Sequence, residues 1–225
     1  SRHPCQIAGE VKDFELNHFV DLHDVKAKRL SRQTQLTLAA TVLALKDAGL
    51  ETRPANFMEP LVIALGISSS AIEVITQGYD RLLALGAKRV PTHTVQACQP
   101  QQSASVVAGY LHCASRTVTV SSACAAGLDA IAAAFRSIRS GSAAVALTGG
   151  ADAPVNDLTF ACLAQAGLIA PSAYSPDKAS RPFDKGHTVG IISEGAGLLV
   201  LEELTHARAR GAPIYAEITG YGSYM

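Results

Sequence analysis

The clearest pattern of hydrophobic and polar positions lies in residues 117–148, where a short alternating stretch precedes a helical one. Val118 and Val120 alternate with threonines, which predicts a β-strand. Apolar side chains then recur at spacings of three and four, which predicts an amphipathic helix that Gly141 ends. Residues 143–148 predict a second apolar strand, closed by two glycines. The helical stripe consists of Leu128, Ile131, Phe135 and Ile138. This order predicts a βαβ unit with parallel strands.

Short apolar runs alternate with helical patterns along most of the chain. Ser31 is predicted to cap a helix that extends to about Ala48. Residues 61–66 predict a buried strand, and a helix interrupted by Gly78 follows it through about Leu85. The apolar face of the first helix is predicted to hold Leu36, Ala40, Leu43 and Ala44. Further helices are predicted at residues 101–111, 158–166 and 202–209, and further strands at residues 191–201 and 214–220. Such alternation is typical of an α/β domain with a mainly parallel sheet covered by helices.

Cys124 lies where the first strand of the βαβ unit gives way to the helix. Free backbone N–H groups and the positive end of the helix dipole favour a thiolate at such a position. The neighbouring residues are all small, so a bulky acyl group has room to approach the sulfur. Two interpretations remain open from the residues alone. Cys124 is either an activated nucleophile or a buried cysteine that packs as a small hydrophobic side chain.

Composition and charge exclude several classes of protein. The 225 residues carry a formal net charge of +0, which gives no electrostatic case for binding nucleic acid or an anionic membrane. No run of about 18 apolar residues occurs, so no membrane span is predicted. The five cysteines are odd in number and unclustered, which favours reduced thiols and a cytoplasmic location. No cysteine or histidine spacing indicates a metal site.

A hydrolase with a Cys–His pair is the main alternative enzyme class. Such a site needs a histidine and an orienting Asn or Asp near Cys124, and no spacing among the seven histidines selects one. A nucleophile elbow places glycines two residues on either side of the nucleophile, whereas Ser122 and Ala126 stand there. No glycine-rich phosphate loop occurs in the sequence.

Five motifs follow one another in the second half of the chain: SSACAAGLDAI, TGGADAP, SRPFDKG, SEGAGLLVLEEL and THARARGAPIYAEITGYG. In this order they resemble the N-terminal half of a β-ketoacyl synthase, a family of the thiolase-like superfamily. A thiolase would share the fold and the cysteine, but the PFD and EGAG segments favour a ketosynthase. The resemblance implies one domain, residues 1–225, with half of the layered αβαβα thiolase-like fold. It also implies that the opening strand and the C-terminal half are lacking.

The resemblance implies an acyltransferase of fatty-acid or polyketide synthesis. Cys124 matches the nucleophile that takes an acyl chain from the phosphopantetheine thioester of an acyl carrier protein. A malonyl thioester then loses CO₂, and its carbanion attacks the acyl-enzyme to give a β-ketoacyl thioester. The backbone N–H of Cys124 would form part of an oxyanion hole. Glu194 matches a glutamate with a structural role, and no cofactor is implied beyond the phosphopantetheine on the carrier.

The resemblance also implies two protein partners. One is a second synthase chain, either identical or a ketosynthase-like partner, because residues 117–122, from Thr117 to Ser122, match the strand that pairs across the dimer axis. The family's non-catalytic chain-length factors lack the active cysteine, so Cys124 argues against that subtype. The other partner is the acyl carrier protein. Its candidate contacts are Arg136, Arg139, Arg208 and Arg210, unless these are only solvated helix ends.

The sequence departs from the family pattern in ways that bear on catalysis. The family's two catalytic histidines lie in motifs that this sequence lacks, and none of its seven histidines stands in such a context. We therefore expect self-acylation but no complete condensation by this chain alone; the alternative is a non-catalytic thiolase-fold dimerisation partner. After Lys185 the family usually has an acidic or polar residue and then an arginine, an aspartate, a glycine and an aromatic residue, whereas residues 186–190 read GHTVG. His187 in this segment is either a substitute proton donor or a solvated loop residue.

Overall fold

Four strands form one mixed sheet in the computed structural model, which describes residues 5–23, 25–50, 61–169, 175–187 and 189–224. The strands are β1 (Leu61–Gly66), β2 (Ser115–Val120), β3 (Val145–Asp152) and β4 (Gly195–Glu202). Their order across the sheet is β2-β1-β3-β4. β1 pairs in parallel with both β2 and β3, whereas β3 and β4 are antiparallel. The predicted α/β class with a mainly parallel sheet is confirmed.

The helices lie close to their predicted positions. Ser31 caps the first helix as predicted, because its hydroxyl oxygen accepts the Thr34 N–H at 3.2 Å. None of the helices in the described ranges is long and apolar enough to cross a membrane. The helices are α1 (Arg32–Asp47), α2 (Ile72–Leu85), α3 (Thr94–Ala97), α4 (Gln102–Leu111), α5 (Ala126–Arg139), α6 (Asp157–Gln165), α7 (Pro176–Ala179) and α8 (Leu204–Ala209).

β1 is buried along its whole length because helices cover both faces of the sheet. Leu61, Ile63 and Leu65 pack in the core cluster that α1 and α4 complete. Val62 and Ala64 pack on the opposite face, in the cluster that includes residues of α5. A strand with two buried faces needs a continuous apolar run, and LVIAL supplies one.

The buried face of α5 differs from the predicted apolar stripe. All of its buried residues are alanines, whereas Leu128 is 71% exposed. The three other members of the stripe are only partly buried. Small side chains occupy the sheet-facing side because the helix backbone lies too close to the sheet for larger ones.

Glycines make this close approach possible. A Cβ on Gly66, at the end of β1, would lie 2.2 Å from the backbone carbonyl of Ala126. A Cβ on Gly150 would lie 3.2 Å from the Cα of Gly127. The first turn of α5 therefore rests directly on the backbone of β1 and β3, with no side chains between them.

The prediction that two glycines close the third strand is wrong. β3 continues through both glycines to Asp152. Gly149 has a φ of 143°, and a Cβ there would lie 2.1 Å from the carbonyl oxygen of Gly197. Glycine at this position permits close pairing with β4 and does not end the strand. β4 itself begins at Gly195, later than residue 191 where the pattern placed it.

Three smaller predictions are also wrong. α2 is continuous through Gly78, which allows close packing instead of a break, since a Cβ built there would lie 2.7 Å from Thr94 Cγ2. Leu43 is 54% exposed, and the buried face of α1 includes Leu45 instead. Residues 214–220 form no strand in the part of the chain that the structure describes. An alternating pattern supplies the side chains of a strand but not the hydrogen-bonded neighbour that a strand requires.

Gly66→Ala is expected to lower the free energy of unfolding by about 1–3 kcal/mol or more, because the new methyl group collides with backbone that cannot move freely. Gly109→Ala is the matched control. Gly109 lies in α4 with nothing within 4 Å of a built Cβ, so alanine there is expected to stabilise by about 0.5–1 kcal/mol. Urea unfolding followed by circular dichroism measures the change in the free energy of unfolding for both variants. Equal midpoints for wild type and Gly66→Ala would contradict the close packing.

Candidate active site

Cys124 lies at the predicted junction between the end of β2 and the start of α5. A 3₁₀ turn, Ala123–Ala125, connects the two elements. The side chain of Cys124 is exposed, which excludes its interpretation as a buried hydrophobic residue. The thiol therefore stands accessible at the N-terminal end of a 14-residue helix.

The residue before Cys124 has a strained backbone. Ala123 has a φ of 50°, in the left-handed region that costs a residue with a side chain roughly 1–2 kcal/mol. A hydrogen bond of 3.2 Å from the Ala125 N–H to the Ser122 carbonyl closes the turn. Strain of this kind persists where the surrounding structure enforces it, and it is concentrated at functional sites. Sequence reasoning missed Ala123, because alanine does not mark a left-handed conformation as glycine or asparagine does.

A cavity of about 370 Å³ opens beside Cys124. It lies at the carboxyl ends of the three parallel strands, where Ser68 follows β1, Cys124 follows β2 and Asp152 ends β3. Ligands of α/β proteins commonly bind at this edge of the sheet. The other lining residues are all small: Gly66, Ala123, Ala126, Gly127, Gly150, Ala151, Gly195, Ala196 and Gly197. An acyl chain can therefore approach the sulfur without meeting a large side chain.

Asp129, in the first turn of α5, joins the Cys124 turn to a distant part of the chain. The hydroxyl of Ser122 donates to one carboxylate oxygen, and the hydroxyl of Tyr221 donates to the other at 2.7 Å. These hydrogen bonds, with Ser122 the stronger influence, hold the pKa of Asp129 below its usual range. The Arg136 guanidinium lies over the Tyr221 ring, 5.5 Å from its centroid. The segment around residue 221 is thereby held against the helix that begins at Cys124.

Glu194 is buried and paired, as a charged residue in an apolar segment must be. Its side chain is 8% exposed and lies 2.8 Å from Arg32 Nη2. It also accepts the Val11 N–H at 3.0 Å, while Arg32 donates to the Val11 carbonyl at 2.7 Å. Glu194 therefore fastens the N-terminal segment to the start of α1. Its assignment as a structural residue of the synthase stays a prediction.

Glu73, in the first turn of α2, is a second carboxyl close to this pair. Its Oε1 accepts the Arg32 backbone N–H at 3.3 Å, whereas no donor among the described residues reaches its buried Oε2. Burial raises the pKa of Glu73, and the charge of Glu194 acts in the same direction. Backbone hydrogen bonds and the helix dipole favour the charged form, so desolvation is the stronger effect here.

One family model matches the sequence over most of its length. Residues 1–207 match the N-terminal domain of β-ketoacyl synthases. The chain belongs to the β-ketoacyl synthase family. The fold and the recognition from sequence motifs are thereby confirmed.

Individual relatives point to the same family. It is 37% identical to a Streptomyces halstedii protein assigned as polyketide β-ketoacyl synthase 1, over 97% of this chain and 53% of that protein. It is 34% identical to 3-oxoacyl-[acyl-carrier-protein] synthase 2 of Vibrio harveyi, over 96% of this chain and 52% of that protein. A crystal structure of a β-ketoacyl synthase from Burkholderia phymatum STM815 superimposes with a TM-score of 0.85 at 29% identity, over 98% of this chain and 53% of that one. The chain thus spans about half the length of the relatives that it matches.

No histidine among the described residues lines the cavity beside Cys124. His187 is exposed, and its Nδ1 lies 2.7 Å from the Asp184 carbonyl oxygen within the turn. It is therefore a loop residue, and its alternative role as a proton donor beside Cys124 finds no support. His3 and Thr188 lie outside the described residues. Within the described ranges, no three His, Cys, Asp or Glu side chains are grouped so as to hold a metal ion.

Three of the four arginines that were candidate carrier contacts have partners within the chain. Arg210 donates to the carboxylate of Glu202 at 2.8 Å. Arg136 and Arg139 each lie over an aromatic ring. Arg208 is exposed. These contacts favour the interpretation of this group as solvated or internally paired helix ends.

A different basic group, which sequence reasoning missed, lines a second cavity of about 150 Å³. Lys28 and Arg29 come from a 3₁₀ turn before α1, Arg81 comes from α2, and His93 precedes α3. No local pattern predicts this cluster because its members lie on separate segments. The only signal in the sequence was the short basic run KAKR at residues 26–29.

Glu73→Gln is expected to stabilise the folded protein at neutral pH. A carboxyl with a raised folded-state pKa binds more protons in the folded protein than in the unfolded one. Stability therefore falls as pH rises from about 4.5 through the raised pKa. Glutamine keeps an acceptor for the Arg32 N–H and removes the charge. Thermal unfolding at several pH values should show wild type losing stability relative to the variant across this range. Parallel curves for the two proteins would contradict the assignment, and Glu10→Gln, at an exposed position, serves as the control.

Proposed function

We propose that this protein is a β-ketoacyl-[acyl carrier protein] synthase of fatty-acid or polyketide synthesis. The observation that carries the proposal is the exposed thiol of Cys124 at the start of α5, beside a cavity with small walls. Membership of the β-ketoacyl synthase family supports the reaction class. Cys124 is the proposed acyl acceptor.

The first half-reaction moves an acyl group onto Cys124. The thiol loses its proton and attacks the carbonyl of an acyl thioester carried on phosphopantetheine. The bond between that carbonyl and the carrier sulfur breaks, and the carrier thiol leaves with a proton. Backbone N–H groups at the start of the helix would stabilise the negative oxygen of the tetrahedral intermediate. Small residues around the sulfur leave space for the incoming chain.

The second half-reaction forms the new carbon–carbon bond. A malonyl thioester loses CO₂, and the resulting carbanion attacks the acyl carbonyl on Cys124. The bond to the Cys124 sulfur then breaks, which releases a β-ketoacyl thioester and restores the thiolate. Decarboxylation needs hydrogen-bond donors, and no histidine of the described residues lines the cavity. The resemblance to the family implies that these donors are histidines in motifs that this sequence lacks.

The acyl carrier protein is proposed to dock on the second cavity. Lys28, Arg29 and Arg81 present positive charge there, and complementary charge accelerates the encounter with an acidic partner. The Vibrio harveyi relative is named 3-oxoacyl-[acyl-carrier-protein] synthase 2, which supports a carrier as the acyl donor.

A second synthase chain and a reducing compartment complete the proposed setting. β2, which contains most of the predicted dimer strand at residues 117–122, is an edge strand of the described sheet, with β1 on one side only. The free N–H and C=O groups of an edge strand are suited to pairing with another chain. We propose that an identical or ketosynthase-like partner pairs there. The cysteines are all unpaired, in keeping with a cytoplasmic location.

Incubation of the protein with an acyl-acyl carrier protein is expected to add the mass of one acyl group at Cys124. Cys124→Ala should abolish the adduct, whereas Cys162→Ala, which removes another exposed thiol, should retain it. Intact mass and peptide mapping distinguish the sites. An unmodified wild type, or an adduct confined to Cys98 or Cys162, would refute acyl transfer by Cys124. The non-catalytic dimerisation partner would then be the remaining candidate.

Arg81→Glu is expected to weaken binding of the acyl carrier protein about tenfold at low salt, because a repulsive charge replaces an attractive one at the proposed docking site. Arg208→Glu makes the same charge change at an exposed position outside the second cavity, and it should change the affinity little. Fluorescence anisotropy with labelled carrier measures both. A larger loss of affinity in Arg208→Glu than in Arg81→Glu would place the docking site elsewhere.

A further inference from the structure

Asp152 joins the ends of two parallel strands on the wall of the Cys124 cavity. It is the last residue of β3, and it lines the cavity together with Ser68. Its Oδ1 accepts both the backbone N–H and the hydroxyl of Ser69, each at 2.8 Å. The Ser68 N–H lies 3.0 Å from Oδ2 and 3.2 Å from Oδ1. One carboxylate therefore binds the first residues of the loop that follows β1.

This loop depends on Asp152 more than on its own local structure. Residues 68–70 lie between β1 and α2 and belong to neither. Ser70 has a φ of 55°, a left-handed conformation that is unfavourable for serine. Hydrogen bonds to a carboxylate are stronger than those between neutral groups. The three donors that converge on Asp152 thus offset the strain and hold the loop in place.

The loop and the Cys124 side of the cavity are held in place by different kinds of contact. Gly66 and Gly150 bring the start of α5 onto the sheet backbone, so the Cys124 side of the cavity rests on two strands. Ser68 and Ser69 follow β1 and are joined to the end of β3 by hydrogen bonds to the Asp152 carboxylate. Their position is set through side-chain chemistry, which a single substitution can remove.

We propose that Asp152 is a positioning residue for acyl transfer. It binds the Ser68–Ser69 segment, keeps Ser68 in the wall of the Cys124 cavity and so limits the size of the group that reaches the sulfur. This inference rests on the proposed function for its role in catalysis. The access of a reagent to the Cys124 sulfur past this wall can be measured whether or not the proposed function holds. Loss of the carboxylate would loosen the loop and admit bulkier groups to Cys124.

Alkylation by maleimides of two sizes tests the wall directly in the complete protein. The rates at which N-ethylmaleimide and N-octylmaleimide label Cys124 are measured by peptide mapping, and their ratio reports the clearance at the sulfur. Cys162, an exposed thiol outside the cavity, is the internal reference. The variants are Asp152→Ala, Asp152→Asn and Ser69→Ala. Asp177→Asn, at an exposed position of α7, is the matched control.

Asp152→Ala is expected to raise the octyl-to-ethyl ratio at Cys124 about threefold or more, because every hydrogen bond to the loop is lost. Asp152→Asn keeps an acceptor for Ser69 and should give a smaller rise, as should Ser69→Ala, which removes one bond. The ratio at Cys162 and all ratios in Asp177→Asn should stay unchanged. A general destabilisation would instead change the labelling rates of both maleimides in parallel, at Cys124 and at Cys162.

An unchanged octyl-to-ethyl ratio at Cys124 in Asp152→Ala would overturn the inference. A parallel change in the labelling rates of both maleimides would also overturn it. If Asp152→Ala fails to fold, Asp152→Asn and Ser69→Ala test the inference in its place. Unchanged octyl-to-ethyl ratios at Cys124 in both of these variants would overturn the inference. Failure of carrier-dependent acylation would refute the proposed function while leaving the maleimide result intact. The two failures are therefore distinguishable.

Discussion

The contact between the first turn of α5 and the ends of β1 and β3 determines much of this structure. Backbone lies against backbone there, since a Cβ on Gly66 would come within 2.2 Å of Ala126. The fully buried positions of α5 are all alanines. The turn that leads into this contact has a strained backbone at Ala123, and the Cys124 thiol is exposed at the same edge of the sheet.

Buried carboxylates hold the periphery to this centre. Glu194 binds Arg32 and the N-terminal segment, where Gly9 also forms a bridge with Ser193. Glu202, at the end of β4, binds Arg210 and so fastens the segment after α8. Removing charge from water is costly, and these pairs are tolerated because each carboxylate accepts several hydrogen bonds. Their value lies in fixing where chain segments attach, since an apolar contact would allow more than one arrangement.

Local patterns predicted those parts of the site that local sequence determines. The strand, the small-residue turn and the helix around Cys124 follow one another within one βαβ unit, so periodicity located the junction correctly. The same reasoning chose the wrong face of α5. Apolar periodicity identifies the face with large apolar side chains, but it carries no information about the distance between the helix backbone and the sheet. The need for a partner at Glu194 was predictable from a charge in apolar sequence, but the identity of Arg32 as that partner was not.

Features assembled from distant segments were beyond such reasoning. The basic cavity combines a turn before α1 with residues of α2 and the segment before α3. Asp152 reads as an ordinary residue of the TGGADAP motif, and its significance depends on the loop after β1. The motifs themselves identified the family because five of them occur in order, each too short to be specific alone.

The central place of β1 has a consequence for how the chain acquires its structure during synthesis. Leu61 pairs with Ser115 on one side and with Val145 on the other. A ribosome must therefore make about 50 further residues before the first neighbour exists, and about 80 before the second. During that interval the most apolar strand of the sheet has neither of its partners, and long-range pairing of this kind is slow. The strand that is best protected in the finished protein is thus the one most exposed to aggregation while the chain is being made.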